Sequence, residues 1–233
     1  EPILGNLILT LVTELCSLKE ISNVFINNGL FAVLLESSIS VILQDGNIRP
    51  DNQPRLHNIW SNGILSIMLL LLSEFGDTIL PETCLFASYF RKQIQSTILS
   101  WSDTNLVVST ALIRETTQLI LLQRMLDKLN YQNYLLNSNV RNIEIEQITT
   151  DNDLNEEQIA HLMIGLDTLD ERKLLNIKLN KLLTHPKYLN SRIIASTQEE
   201  QHILNDETRR VEFVAHINAS IKELQVSLFE QLQ

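Results

Sequence analysis

Apolar residues recur at intervals of three and four along almost the whole chain, and short polar breaks separate these stripes. The first stripe runs through Leu4, Ile8, Leu11, Leu15 and Leu18, a spacing that predicts an amphipathic helix with one buried face. The same periodicity returns after each break. The pattern therefore predicts a chain of helices in series.

The first half contains two predicted groups of helices, separated by the clearest loop of the chain. That loop, residues 45–55, contains Pro50 and Pro54, neither of which can continue a helix. Helices are predicted before it over residues 3–18, 21–27 and 30–44. Beyond the loop, the stripes predict one helix over residues 56–75 and another over 81–101.

The second half contains further predicted helices. They lie at about residues 104–128, 131–136, 143–148, 155–183 and 198–232. The segments Ser102-Asp103 and Asp151–Asp153 are placed to cap the first and the fourth of these, and Gly165 predicts a kink inside the fourth.

The last predicted helix carries a heptad-like apolar seam. Its members are Val211, Val214, Ile217, Ile221, Leu224 and Leu228. Such a seam either pairs with a partner helix or docks on the preceding helix and caps the fold, and docking is the favoured interpretation.

Helical units recur at about 40–47 residues, the period of armadillo and HEAT repeats. The predicted units are residues 3–43, 56–101, 103–150, 152–197 and 198–232. Because one such unit cannot bury its own apolar face, neighbours stack into a curved rod with an extended concave surface. We therefore predict a single all-α domain, a right-handed superhelical solenoid of armadillo/HEAT-like repeats that binds proteins.

Composition agrees with this class and excludes some partners. The chain has 6 glycines and 5 prolines in 233 residues and a formal net charge of −10. This charge repels nucleic acid and anionic membranes, and the longest apolar run, Ile64–Leu72, is about half of a membrane-spanning helix. We expect no direct nucleic-acid binding and no membrane insertion, and the start at Glu1-Pro2 suggests a piece of a longer protein.

Residues that could carry chemistry are few. Of the five histidines, His202 forms a Glu-x-x-His pair with Glu199, but a di-iron bundle needs two such pairs and two more glutamates. Cys16 and Cys84 stand in apolar stripes, where a thiol packs as a small hydrophobe. We therefore predict no catalytic, cofactor-binding or metal-binding residue and no cofactor, and the pattern identifies no partner-binding residue.

Trp60 and Trp101 are candidates for exposed anchors of a partner, since tryptophan is common among binding hot spots. Trp60 stands at helical spacing with Leu56 and Ile64, and the core is its favoured place, while Trp101 closes the helix predicted before it.

The segment Leu56–Leu65, followed by the leucine run Leu69–Leu72, resembles the C-terminal region of the large α-solenoid scaffold nucleoporins, and is most similar to the 188-kDa type. Leu7–Leu35, with its Asn27-Asn28-Gly29 stop, is similar to the same region. Up to Trp101 the resemblance rests on these motifs, and beyond it on helical character. It implies a scaffold of the inner ring of the nuclear pore complex at the nuclear envelope. The implied partners are other inner-ring nucleoporins, among them a linker nucleoporin, with Phe-Gly repeat segments and transport receptors as further candidates.

The hypothesis is therefore a non-enzymatic scaffold that binds other nucleoporins through grooves between helices. A soluble karyopherin-like transport receptor, which would use the same kind of groove, is the first alternative. A helical-bundle metalloenzyme built on Glu199 and His202 is the second.

Overall fold

A computed structural model of the chain describes residues 2–137 and 162–230. Within these ranges the chain is all-α, as predicted, and extended backbone pairs at one place, between Val108 and Ile193. The helices are α1 (Pro2–Cys16), α2 (Lys19–Asn27), α3 (Leu30–Glu36), α4 (Ser38–Gln44), α5 (Pro54–Asn58), α6 (Ser66–Phe75), α7 (Leu80–Tyr89), α8 (Arg91–Ser100), α9 (Thr110–Lys128), α10 (Tyr131–Asn137), α11 (Leu169–Thr184), α12 (Pro186–Arg192), α13 (Gln198–Asn205) and α14 (Glu207–Ser227).

The N-terminal helices α1 to α4 follow one another with tight turns. Gly29 ends α2 with a φ of +83°, a left-handed conformation that glycine adopts at little cost. The single helix predicted over residues 30–44 is wrong, because α3 ends at Glu36 and α4 begins at Ser38. The Ser37 hydroxyl accepts a hydrogen bond from the Ser40 N–H at 3.1 Å and so caps the new helix.

The helix predicted over residues 56–75 is present and begins at Pro54, but it is not uniform. A π-helical turn, Ile59–Leu65, joins α5 to α6. Gly63 in this turn faces Leu9 of α1 so closely that a Cβ atom there would lie 2.6 Å from the Leu9 Cδ1. The widened turn and its glycine therefore let α1 pack directly against this helix.

The continuous helix predicted over residues 81–101 is wrong, because it breaks at Phe90 between α7 and α8. Phe90 packs with Phe86 and Trp60 in one aromatic cluster, with ring centroids 4.9 and 5.1 Å from its own. The break follows no glycine or proline. Tertiary packing of the three rings therefore accompanies a change of direction that local sequence does not signal.

Helix α9 lies at the centre of the fold and packs against α6, α8 and α14. The predicted cap at Ser102-Asp103 is wrong, since residues 101–109 form turns and extended backbone. Ser109 caps α9 instead, because its hydroxyl accepts from the Leu112 N–H.

The helix predicted over residues 155–183 is wrong for its described part before α11. Residues 162–168 are not helical, and Gly165 there has a φ of +86°, so it lies in a turn and kinks no helix. Helix α11 begins with a capping box in which Thr168 and Glu171 satisfy each other's backbone N–H groups. The predicted helix over 143–148, the Asp151–Asp153 cap and residues 155–161 lie outside the described residues.

The helix predicted over residues 198–232 is wrong as a single element, because Asp206 divides it into α13 and α14. The Asp206 carboxylate accepts from the backbone N–H groups of Thr208 and Arg209 and caps α14. The docking interpretation is confirmed for the C-terminal part of the seam, since α14 packs on α9, α11 and α13, whereas Val211 at the start of the seam is 71% exposed. Its buried seam residues are Ile217, Ile221, Leu224 and Leu228.

One helical stretch, Pro54–Tyr89, is long and apolar enough to cross a membrane by length and composition. Its most apolar window is 56% buried inside the fold, as in the core helix of a globular protein. Trp60, Leu65 and Leu71 within it are fully buried.

Candidate functional site

The best candidate for a binding site is an open groove between α6 and α9, which we call the central groove. Its volume is about 680 Å³, a size typical of ligand-binding clefts. The apolar residues that line it are Leu69, Leu70, Leu72, Leu121, Met125 and Leu129. Leu69 and Leu72 form a buried floor, while Leu121 is 36% exposed at the rim. The groove therefore offers an apolar surface to a partner.

Helical spacing explains why these residues share one groove. On α6, Ser66, Leu69, Leu70 and Ser73 recur at intervals of three and four, so they lie on one face of the helix. On α9, the groove positions 118, 121, 125 and 128 recur at similar intervals. Two amphipathic faces thus meet along their edges and leave the groove between them.

Hydrogen bonds to the π-helical turn fix one end of the central groove. The Gln118 side-chain amide donates to the Ser61 carbonyl at 3.0 Å and to the Ser66 hydroxyl at 2.9 Å. The Ser61 hydroxyl donates back to the Gln118 side-chain carbonyl at 2.8 Å. Because these polar groups satisfy one another, this end adds little unsatisfied polarity to the apolar groove.

A buried polar network centres on Glu115 of α9. Its Oε1 accepts from the Trp60 Nε1–H at 2.6 Å and from the Thr97 hydroxyl at 2.7 Å. Its Oε2 lies 2.8 Å from the His57 Nε2. Glu115 and His57 are 1% and 2% exposed, so this contact is fully buried. The network joins α5, the π-helical turn, α8 and α9 at one point.

Gln93 of α8 extends this network to the loop before α5. Its side-chain amide donates to the Ile48 carbonyl at 2.8 Å, and its side-chain carbonyl accepts from the Ile48 N–H at 3.0 Å. The loop predicted at residues 45–55 is therefore held by two hydrogen bonds, one accepted and one donated by the buried Gln93 side chain. Such pairing stabilises one geometry of the elements that carry the groove.

The chemistry of the central groove suits binding. Among the described residues, its lining contains no carboxylate, histidine or thiol, and its charged member is Lys128, which is exposed at one end. General acid–base and nucleophilic catalysis both need such groups within hydrogen-bond reach of each other. What the groove can do is bury apolar side chains of a partner.

A second and smaller groove lies between α8 and the segment that leads into α11. Its volume is about 320 Å³, and its lining includes Ile98, Leu99, Gly165 and Leu174. Leu99 and Leu174 are both more than half exposed. It is less than half as large as the central groove, and its lining also includes the Glu171 side chain.

The residues considered for a metal site are dispersed. Glu199 and His202 lie exposed on α13, and His185 and His216 are exposed elsewhere, while His161 lies outside the described residues. Within residues 2–137 and 162–230, no group of three or more histidine, cysteine or acidic side chains could hold a metal ion. The remaining histidine, His57, belongs to the Glu115 network.

The cysteines and Trp60 lie in the core, as interpreted from the sequence, and Trp101 lies there too. Cys16 and Cys84 are buried, and burial raises the pKa of the Cys16 thiol above its ordinary value, which disfavours the reactive thiolate. Trp60 and Trp101 are 0% and 3% exposed, so neither offers an exposed anchor.

Sequence reasoning missed both Glu115 and the groove residues. A signal for Glu115 existed, because it occupies a seam position of α9 with Leu112, Leu119, Leu122 and Leu126, all of which are buried. A carboxylate inside an apolar seam indicates a buried polar partner. The groove residues gave no such signal, since their role depends on which helix lies beside α6.

Comparisons with known proteins agree on one family. The family model described as the nuclear pore protein NUP188 C-terminal domain matches residues 1–232. Nucleoporin NUP188 of Saccharomyces cerevisiae is 54% identical over 232 residues, which is 100% of this chain and 13% of that protein. Nucleoporin nup184 of Schizosaccharomyces pombe is 29% identical over 103 residues, 44% of this chain and 7% of that protein.

A solved structure, Nup188(aa1445-1827) from Myceliophthora thermophila, has a similar fold. It aligns with a TM-score of 0.69 at 20% identity and covers 98% of this chain and 61% of its own. At this identity the match supports the helical-solenoid fold alone. The chain thus spans a small part of the S. cerevisiae relative, 13% of its length.

Proposed function

We propose that this chain, which belongs to the family of the nuclear pore protein NUP188 C-terminal domain, binds segments of other nucleoporins through its central groove. Its location at the nuclear pore complex and its role as part of a scaffold both follow from family membership. The finer part of the proposal is the surface and the kind of segment it holds.

The observation that carries the proposal is the apolar central groove on a rigidly held pair of helices. An amphipathic helix can place its apolar face in such a groove, with anchors at intervals of three and four residues. A Phe-containing segment can insert its rings between the same leucines. We favour a helical segment of a linker nucleoporin, since the groove runs along two helices and offers a row of apolar positions.

The division of the chain into repeat units belongs to the same proposal. Units over residues 3–43, 56–101, 103–150, 152–197 and 198–232 would stack in order, with α6 and α9 contributed by neighbouring units. A groove between neighbouring units is where a solenoid presents its extended binding surface.

The test is affinity capture from cell extract with the whole 233-residue chain, followed by mass spectrometry. Leu121→Asp places a charge on the groove rim, where desolvation of a carboxylate by an apolar partner costs several kcal/mol. We expect the wild-type chain to retain nucleoporins and the variant to lose them. Val211→Asp is the matched control, because Val211 is 71% exposed on α14, outside the groove.

Two outcomes would contradict the proposal. The first is recovery of no nucleoporin by the wild-type chain, and the second is equal recovery by Leu121→Asp and wild type. Far-UV circular dichroism and the Tm of each variant show that the fold is intact, since substitutions at exposed positions change stability by less than about 0.5 kcal/mol.

The two alternatives have their own measurements. A transport receptor shuttles, so the full-length protein tagged with a fluorophore would recover rapidly at pores after photobleaching, whereas a scaffold stays. For the metalloenzyme, stoichiometric iron, zinc or manganese in the purified chain would be required. The relatives described above are nucleoporins, which favours the scaffold.

A further inference from the structure

Charge is distributed unevenly along the chain, and one stretch of its second half is basic. The chain carries 28 acidic and 18 basic residues. Residues 172–192, which form most of α11 and all of α12, nevertheless carry six lysines and arginines and neither aspartate nor glutamate. A local patch of one sign creates a field opposite to that of the surrounding surface. This stretch can therefore attract an acidic partner that the net charge of −10 would otherwise repel.

Three of these cations have no acidic partner in the part of the chain that the structure describes. They are Lys178, Lys181 and Lys187, none of which forms an ion pair there. The dipole of α11 favours a cation in its last turn, which accounts for Lys181. It does not account for Lys178, or for Lys187 in the first turn of α12. The three charges are thus free to meet a partner.

Two of these lysines share one face of α11 with two exposed apolar residues. Leu174, Ile177, Lys178 and Lys181 stand at i, i+3, i+4 and i+7, so they form one strip along the helix. Leu174 and Ile177 are 54% and 61% exposed. We call these four residues the α11 strip.

The smaller groove between α8 and the segment that leads into α11, which we call the second groove, lies at the N-terminal end of the α11 strip. Leu174 lines it together with Leu99, which is 65% exposed. Glu171, the carboxylate that the described lining contains, belongs to the helix cap, since its Oε2 accepts from the Thr168 N–H at 2.8 Å. An apolar recess is therefore followed along α11 by two lysines.

We propose that the second groove and the α11 strip together bind a short acidic segment of a partner protein that carries one large apolar side chain. The apolar side chain occupies the groove beside Leu174, and carboxylates face Lys178 and Lys181. At about 1.5 Å per residue these lysines stand about 6 and 10 Å farther along the helix than Leu174. In an extended segment, at about 3.3 Å per residue, the acidic positions follow the apolar one by about two and three residues.

The size and surroundings of this surface favour a peptide over a nucleic acid or a membrane. The α11 strip extends over about 10 Å, which is short beside a duplex or a lipid surface. Asp170 and Glu171 adjoin it at the start of α11, and the chain as a whole is acidic. A larger polyanion would meet these repelling charges. A short segment presents its carboxylates only where the lysines lie.

Peptide display tests which ligands the surface selects. The immobilised 233-residue chain selects from a library of random dodecapeptides, and fluorescence anisotropy gives the Kd of each selected peptide. We expect a class with an apolar residue followed by aspartate or glutamate. Its Kd should rise at least about tenfold for Lys178→Glu combined with Lys181→Glu, since two attractive pairs become repulsive. Arg55→Glu combined with Arg209→Glu, both exposed and on α5 and α14, makes the same change of charge and should alter the Kd by less than about twofold.

Two further variants separate the parts of the surface. Leu99→Asp places a carboxylate at the apolar recess, so it should weaken the same acidic class. Leu121→Asp, on the rim of the central groove, should leave this class unchanged. The proposal can therefore fail while the proposed function stands, and the reverse. Far-UV circular dichroism of every variant checks that the fold is intact.

Three results would overturn the proposal. The first is a selection without an acidic class. Residues 139–161 contain six acidic residues and one basic residue, and competition from them within the chain would also give this result. The second is an equal Kd of the acidic class for the wild type and the Lys178→Glu, Lys181→Glu variant. The third is retention by phosphatidylserine vesicles or duplex DNA that this variant abolishes, without an acidic peptide class, which assigns the strip to another kind of anion.

Discussion

Replacement of Glu115 by leucine tests the buried network that holds α9 in place. In the native fold its carboxylate accepts hydrogen bonds from Trp60 and Thr97 and faces His57. Leucine has a similar size but accepts no hydrogen bond. The Thr97 hydroxyl keeps a second acceptor, the Gln93 backbone carbonyl at 3.1 Å. The Gln93 side-chain amide, which also donates to Glu115 at 3.5 Å, keeps the Ile48 carbonyl. Two buried donors, on Trp60 and His57, therefore lose their partner.

The expected cost follows from those two donors. Each buried group left without a partner costs about 1–3 kcal/mol, which gives a loss of about 2–6 kcal/mol for Glu115→Leu. Whole domains are stable by about 5–15 kcal/mol, so this one substitution removes a large share. Glu115→Gln keeps a carbonyl for Trp60 and Thr97, and its amide can donate to the His57 Nε2 in the tautomer in which that nitrogen accepts. We therefore expect a loss of about 1–2 kcal/mol for Glu115→Gln.

Equilibrium unfolding in urea, followed by circular dichroism and tryptophan fluorescence, measures these losses. The midpoint should fall in the order wild type, Glu115→Gln, Glu115→Leu, with an unchanged slope. Glu212→Leu, at an exposed glutamate of α14, is the control and should change the free energy of unfolding by less than about 0.5 kcal/mol. If Glu115→Leu were as stable as wild type, or no less stable than Glu115→Gln, the network would not have the role assigned to it.

Two further predictions concern packing and pH. Gly63→Ala should destabilise the chain by about 1–3 kcal/mol in urea unfolding, since its Cβ would meet Leu9. Gly5→Ala, whose added Cβ would lie 3.4 Å from its nearest neighbour, is the control and should be neutral or stabilising. Equal effects of the two substitutions would refute the close approach of α1. Burial, then the charge of Asp167, raises the pKa of the Tyr131 phenol. The contribution of the Tyr131 phenol to the free energy of unfolding is therefore complete below the unfolded pKa of about 10, and it is lost as pH rises toward the pKa of the folded state. The Tm of wild type should fall more steeply above pH 10 than that of Tyr131→Phe, and parallel curves would contradict this.

Helical class was predictable from the sequence because apolar periodicity is a local property of the chain. Local residues also signal the positions of several breaks between helices, and the sequence predictions missed these signals. Thr168 stands three residues before Glu171, the pattern of a capping box, and Asp206 precedes a run of helix-forming residues that it caps. In both places the apolar periodicity continues on either side of the cap, so one continuous helix was predicted.

Other features could not be predicted from sequence alone. The break at Phe90 carries no helix-stop residue, and it accompanies the packing of the Phe90 ring against Phe86 of α7 and Trp60 of the π-helical turn. The central groove exists because α9 lies beside α6, some forty residues earlier in the chain. Periodicity predicts that each helix has an apolar face, and it does not predict which two faces meet.

Two hydrogen-bonded side chains of α9 explain why the groove between α6 and α9 has one geometry. Glu115 and Gln118 are one helical turn apart, and their partners His57, Trp60 and Ser61 lie on the facing helix within a similar span. A shift of α9 by one residue would break the hydrogen bonds of both side chains at once, which leaves buried groups without partners. Apolar packing alone tolerates such shifts more easily, because leucines can exchange neighbours. A groove with fixed geometry binds without a cost of ordering, so the buried network supports recognition although it touches no partner.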